Sequence, residues 1–189
     1  MKGLFDKFLN PPVTEFEGIP VEVCRRRVRN ARVEFKPDHL KVIVPSGTNP
    51  MNILVTNKDS IVKRFHKYKD QYDTARKIPM VDWEIEEFAA IVNNYLEHYS
   101  HILKVRISAL KFRKMRRRWG SCSSDGLITL NLYLQFVPEH LIAYIVYHEL
   151  CHLLVRGHGP RFKRLIADEF PHYRQLDKEL NLYGLKLLR

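Results

Sequence analysis

Residues 147–162 read YHELCHLLVRGHGPRF, and they restrict this chain more than any other stretch. The run before them, EHLIAYIV, is apolar enough for a buried helix that continues into His148, Glu149 and His152. On a helix those two histidines lie about 40° apart around the axis and about 6 Å apart along it. Two imidazoles so placed converge on one point, where a divalent ion supplies the partner that buried polar rings need. Glu149 lies about 100° around from His148 and about 60° from His152. That places it to one side of such an ion, where it need not be a ligand and can reach a bound water to take its proton.

Two ligands do not hold zinc well; a catalytic site has three and an open position. His158 is the candidate third. On a continued helix it would sit about 9 Å beyond His152 and about 240° around. The sequence GHGP therefore predicts a stop at Gly157 and a chain reversal that returns His158 to the other two. Zn2+ is the expected cofactor, with Mn, Co or Ni as other candidate ions. Cys151, next to a ligand, reads as a small buried residue. His98 and His101 read as the exposed end of another helix.

The 189 residues suit one domain or a domain with a small lobe, able to bury a core without disulfides or metal staples. No apolar run approaches the roughly 20 residues of a membrane span. The start, MKGLFDKFLNPPVTEFEG, is interrupted by Asp6 and Lys7 and lacks the apolar core of a secretory leader, so a cytoplasmic protein is expected. Cys24, Cys122 and Cys151 are odd in number and far apart, which predicts reduced thiols.

Alternating Ala31, Val33 and Phe35 predict a strand over 21–35, followed by a turn and a second strand at 40–44. A helix is expected at about 51–68, and the polar 67–82 as a connection between lobes. Phe88, Ile91, Val92, Tyr95, Leu96 and Tyr99 form one stripe of a helix at about 83–102, with Asp82 as its N-cap. A strand at 105–110, a hairpin over 119–132 turning at Asp125-Gly126, a helix opening with Pro138, and short helices at about 160–168 and 172–182 complete the chain. There is no internal sequence repeat. The expected division is a basic β-rich lobe with one helix, 1–75, and a catalytic domain, 76–189.

A net charge of +11, with arginine runs at 25–32 and 116–118, admits nucleic acid or an anionic small molecule as partner. KFRKMRRRW, basic with interleaved aromatics, motivates the former; a phosphoanhydride substrate is the alternative, without a Gly-rich phosphate loop to support it.

Residues 116–166 closely resemble the YgjP-like metallopeptidase family of predicted zinc-dependent hydrolases. The matching features are Trp119 to Ser123, Leu130-Asn131, Pro138, the H-E-x-x-H of His148 to His152, and His158 to Phe162. The resemblance implies an α+β fold: a zincin-like core, in which a small twisted sheet packs on the H-E-x-x-H helix, with an N-terminal β-rich lobe. It implies that His148, His152 and His158 bind zinc, that Glu149 is the general base, and that the substrate is a peptide or protein. Trp119 and Ser121 become substrate-side candidates, as do His172, Tyr173 and Arg174, which follow the site closely. Neighbouring SprT-like and WLM proteases act on proteins crosslinked to DNA, which keeps DNA recruitment open. Oligomeric state is left open.

Overall fold

The computed structural model of the protein describes residues 13–188. The opening twelve residues, read above for a leader, lie outside them. The chain forms two compact units that divide between Thr74 and Ala75.

The first unit holds strands β1 (Glu15–Phe16), β2 (Ile19–Arg25), β3 (Arg32–Phe35) and β4 (Leu40–Val44), in the order β1-β2-β4-β3. The run LKVIV becomes the central strand because four of its five side chains are apolar and buried. It pairs parallel with β2, from Val21↔Leu40 to Arg25↔Val44, and antiparallel with β3, from Arg32↔Ile43 to Phe35↔Leu40. The single strand expected over 21–35 is therefore two. Both must reach β4, from opposite sides, and the chain crosses at 26–31, where the arginines offer nothing to bury. The core is Phe16, Ile19, Leu40, Val42, Val44, Leu54, Ile61 and Phe65.

The helix expected at 51–68 is also two, α1 (Pro50–Thr56) and α2 (Lys58–Lys77). They break at Asn57, whose Nδ2 donates to the Ile53 carbonyl. The polar stretch after Lys67 is helix, not connection. It is rich in good helix formers and meets no proline until Pro79.

In the second unit, α3 (Ile85–Leu103) buries Phe88, Val92, Leu96 and Tyr99 on the expected stripe. Glu84, not Asp82, occupies its N-cap, without a side-chain hydrogen bond. Three strands follow: β5 (Ala109–Arg113), β6 (Gly120–Cys122) and β7 (Leu127–Asn131), in the order β5-β7-β6. The strand expected at 105–110 starts later and takes in KFR, because its partner β7 begins opposite Ala109. The β6–β7 hairpin is present, but its turn spans 123–126 and only Gly126 has positive φ. Ser123 widens it: its N–H donates to the Leu127 carbonyl, and its Oγ accepts from the Leu127 N–H.

A short 3-10 helix (Leu132–Phe136) leads into α4 (Glu139–Leu154), α5 (Pro160–Glu169) and α6 (Tyr173–Leu187). Pro138 sits at the N-cap of α4 rather than at its first helical position. Helix α4 packs on α3, β6, β7, α5 and α6, and from Leu141 to Cys151 every residue except His148 is buried. A helix apolar all round belongs at the centre. The architecture is mixed α+β, a small sheet against the helix that carries H-E-x-x-H. No helix among the described residues is long and apolar enough to cross a membrane.

Candidate metal centre

Helix α4 stops before Gly157. Its last residue is Leu154, and Val155 is already extended (φ −144°, ψ 113°) while its N–H still bonds the Cys151 carbonyl. A β-branched residue adopts that conformation readily. Neither Gly157 nor Gly159 has positive φ, and a Cβ on either would meet nothing within 4 Å. The reversal expected at Gly157 thus begins two residues earlier, at Val155. Pro160 then opens α5, with His158 in the bend.

The bend brings the three histidines together: one ring nitrogen from each of His148, His152 and His158 lies within 4.8 Å of the others. His148 Nε2 and His158 Nε2 are 3.1 Å apart. A tetrahedral zinc with bonds of about 2.0–2.1 Å requires ligand nitrogens about 3.3 Å apart, so the spacing suits such an ion. His152 Nδ1 donates to the Val155 carbonyl at 3.2 Å, which leaves its Nε2 lone pair available as a ligand. The same Val155 therefore ends the helix and orients a ring. His148 Nδ1 is buried without a hydrogen-bond partner. Burial first, then His152 and His158, push the His148 pKa down to about 4, so the ring is neutral as a ligand must be. Burial also lowers that of His152.

Phe162, in the first turns of α5, stands against all three rings, with centroids 4.7–4.9 Å away. It is buried in the core and also walls the cluster. Its position four residues after His158 on a helix start was the available signal.

Glu149 is 5% exposed. Burial pushes its carboxyl up to about 7, against the opposing pull of the Arg118 guanidinium. Its carboxylate lies against β6. A Cβ on Gly120 would fall 2.6 Å from Glu149 Oε1 and 2.8 Å from Cδ, so only glycine fits there. Gly120 is held in turn by its neighbours. Asn131 is 0% exposed and fully used: its Oδ1 accepts from the Met115 and Tyr133 N–H groups, and its Nδ2 donates to the Met115 and Arg118 carbonyls. Its own N–H bonds the Trp119 carbonyl.

Histidines, Glu149 and β6 share a cleft of about 630 Å³. Trp119 and Ser121 line it, and the Trp119 ring also packs on the core, 4.0 Å from where a Cβ on Gly184 would stand. His172, Tyr173 and Arg174 do not line it. His172 caps α6, Tyr173 packs on the core, and Arg174 lies over the Tyr173 ring. Their helix contributes Asp177, Leu180 and Asn181 instead, one to two turns further on. Asp177 accepts a 2.7 Å hydrogen bond from Tyr144 Oη, on α4 one turn before His148. Arg118 and Arg156 complete the rim.

The model of the YgjP-like family, metallopeptidase domain, matches residues 27–183. The chain belongs to the YgjP-like metallopeptidase family. As a YgjP-like protein it is a metal-dependent hydrolase acting on peptides or proteins, and the family implies a divalent ion. Two archaeal metallopeptidase zymogens of known crystal structure are similar to this YgjP-like chain. Abylysin of Pyrococcus abyssi is 28% identical, with a TM-score of 0.42, over 48% of this chain and 90% of its own. Jannalysin of Methanocaldococcus jannaschii is 23% identical, with a TM-score of 0.42, over 48% and 92%. No curated protein matches.

Proposed function

We propose that this chain is a cytoplasmic zinc peptidase in which His148, His152 and His158 hold the ion and Glu149 is the general base. The observation that carries the reading is the convergence of three imidazole nitrogens within 4.8 Å at the bend after α4, on the helix that also presents Glu149 to β6. A divalent ion held there acts as a Lewis acid on the scissile carbonyl and lowers the pKa of water to about 7. Glu149 accepts the proton of the attacking water on a carboxylate oxygen and returns it to the leaving amine nitrogen.

Strand β6 is the edge of its sheet. Its hydrogen-bonded pairs with β7 fall at Trp119–Asn131 and Ser123–Leu127, so by alternation the N–H and C=O groups of Gly120 and Cys122 point away from β7. An extended peptide adds to that edge as a further strand, beside Glu149. Trp119 and Ser121 flank this path.

The test is metal content together with proteolysis. Purified protein is expected to carry about one equivalent of zinc per chain, in line with a three-ligand site. Glu149→Gln is expected to retain the metal and lose about 10²–10⁴-fold of peptide cleavage. Equal cleavage by both proteins would remove Glu149 from the mechanism. A second reading, recruitment to nucleic acid, is favoured by the exposure of Arg25, Arg26, Arg27, Arg29 and Arg32. It requires DNA binding that weakens steeply with salt.

A further inference from the structure

Two arginines stand in the cleft without a carboxylate partner. Arg118 precedes β6, and its carbonyl is fixed by Asn131 Nδ2 at 2.8 Å. Arg156 follows α4 by two residues and enters the cleft from the other wall. Both are exposed, and neither forms an ion pair among the described residues. Arg118 lies two residues before Gly120, against which the Glu149 carboxylate abuts, and Arg156 follows Val155, whose carbonyl holds His152 Nδ1. The cleft's other carboxylate, Asp177, accepts a hydrogen bond from Tyr144 and forms no ion pair with either arginine among the described residues. Two unpaired guanidinia at separate places in one cleft leave two donor forks for carboxylates of an extended chain.

We infer that Arg118 and Arg156 are specificity-determining residues, which make the cleft select peptides bearing carboxylates at two positions along the bound chain. The inference rests on the peptidase reading. The carboxylates come from acidic side chains or, at one position, from a free C-terminus.

Zinc-loaded full-length enzyme is assayed on matched quenched peptides carrying Glu or Gln on either side of a neutral centre, each as free acid and as amide. Wild type is expected to favour Glu over Gln by about fivefold per position, the scale of an exposed ion pair. Arg118→Gln and Arg156→Gln should each abolish the preference at one position only. Arg156→Glu should turn it toward Lys. A preference for free acid over amide, lost in one arginine variant, would assign that fork to the C-terminus. Circular dichroism checks that each variant folds, and the Glu/Gln ratio is insensitive to a loss of active fraction. Equal cleavage of Glu and Gln peptides by wild type, or a preference that survives both Gln variants, overturns the inference and leaves the peptidase reading intact. Zinc-loaded protein that cleaves no peptide but turns over nucleoside triphosphates overturns both.

Discussion

The two units of this protein solve one topological problem in the same way and use the answer differently. In each, three strands run so that the last becomes central, parallel to the first and antiparallel to the second: β4 between β2 and β3, β7 between β5 and β6. The central strand of the first unit buries Leu40, Val42, Ile43 and Val44, and no polar residue among the described ones is buried in that core. The central strand of the second buries Ile128 and Leu130 and ends in a buried asparagine, and the helix packed beside it carries a buried glutamate. Among the described residues, Asn131 and Glu149 are the buried polar pair, and both lie in the second unit. One architecture is thus a plain apolar core in one place and a chemically committed wall in the other. The difference lies in two buried polar residues, of which Asn131 is offset by four side-chain hydrogen bonds.

The harshest way to break that comparison is to remove a ring from the cluster. His152→Ala and His158→Ala each leave two imidazoles, and a two-ligand site is expected to lose zinc during purification and activity by at least about 10³-fold. Metal analysis and peptide assay read both, and a chelator on wild type should reproduce the loss. Retention of a full equivalent of zinc by His158→Ala would take the bend out of the site. No substitution in the first unit is expected to change metal content.

Next in size is the contact between Gly120 and Glu149. Gly120→Ala places a methyl group where Oε1 and Cδ now lie, and neither strand nor helix can withdraw, since Asn131 pins one and a full core the other. The carboxylate must turn aside. A displacement near 1 Å costs about 10²-fold in turnover. The expected result is a fall of that order in kcat with zinc content unchanged, which separates a moved base from a lost metal.

These contacts also mark where the sequence could be read and where it could not. The histidine cluster was legible because a helix fixes the geometry of residues four apart, and because GHGP signals a chain reversal just where a third histidine stands. The reversal was legible, but not its site: Val155, not Gly157, ends the helix, because the Val155 carbonyl serves His152 there. Arg118, Gly120 and Asn131 lie 18 to 31 residues before Glu149 in the chain, and no local pattern encodes their proximity to it. Strand boundaries failed for a related reason. The stretch 21–35 has the right alternation for one strand, yet it is divided by a requirement that arises only once β4 lies between its halves.

The buried asparagine offers a matched pair of intermediate size. Asn131→Ala leaves the Met115 N–H and C=O, the Arg118 C=O and the Tyr133 N–H without their partner, at a cost of about 2–4 kcal/mol once water reaches some of them. Val42→Ala, at the centre of the other sheet, removes two methyl groups from a fully buried side chain and costs about 2 kcal/mol. The stability losses, measured by denaturant unfolding, are similar. Activity should separate them: Asn131→Ala frees the segment leading to β6 and is expected to lower kcat as well, whereas Val42→Ala leaves it at the wild-type level in native conditions.

The smallest effect completes the comparison with the same substitution in the other unit. Gly47 has φ +80° and nothing within 4 Å of an added Cβ, so Gly47→Ala meets no neighbour and acts through backbone conformation alone. Left-handed backbone disfavours a Cβ by roughly 1–2 kcal/mol, partly offset by the lower entropy of the unfolded alanine chain, for a net loss of about 1 kcal/mol. Gly120 is the mirror case: ordinary backbone, no space, and the buried Glu149 carboxylate as the neighbour. Gly47→Ala should therefore lower the unfolding free energy slightly with kcat unchanged, while Gly120→Ala lowers kcat. If Gly47→Ala reduced turnover as Gly120→Ala does, the two glycines would share a global effect on folding, and the specific tie between β6 and Glu149 would lose its support.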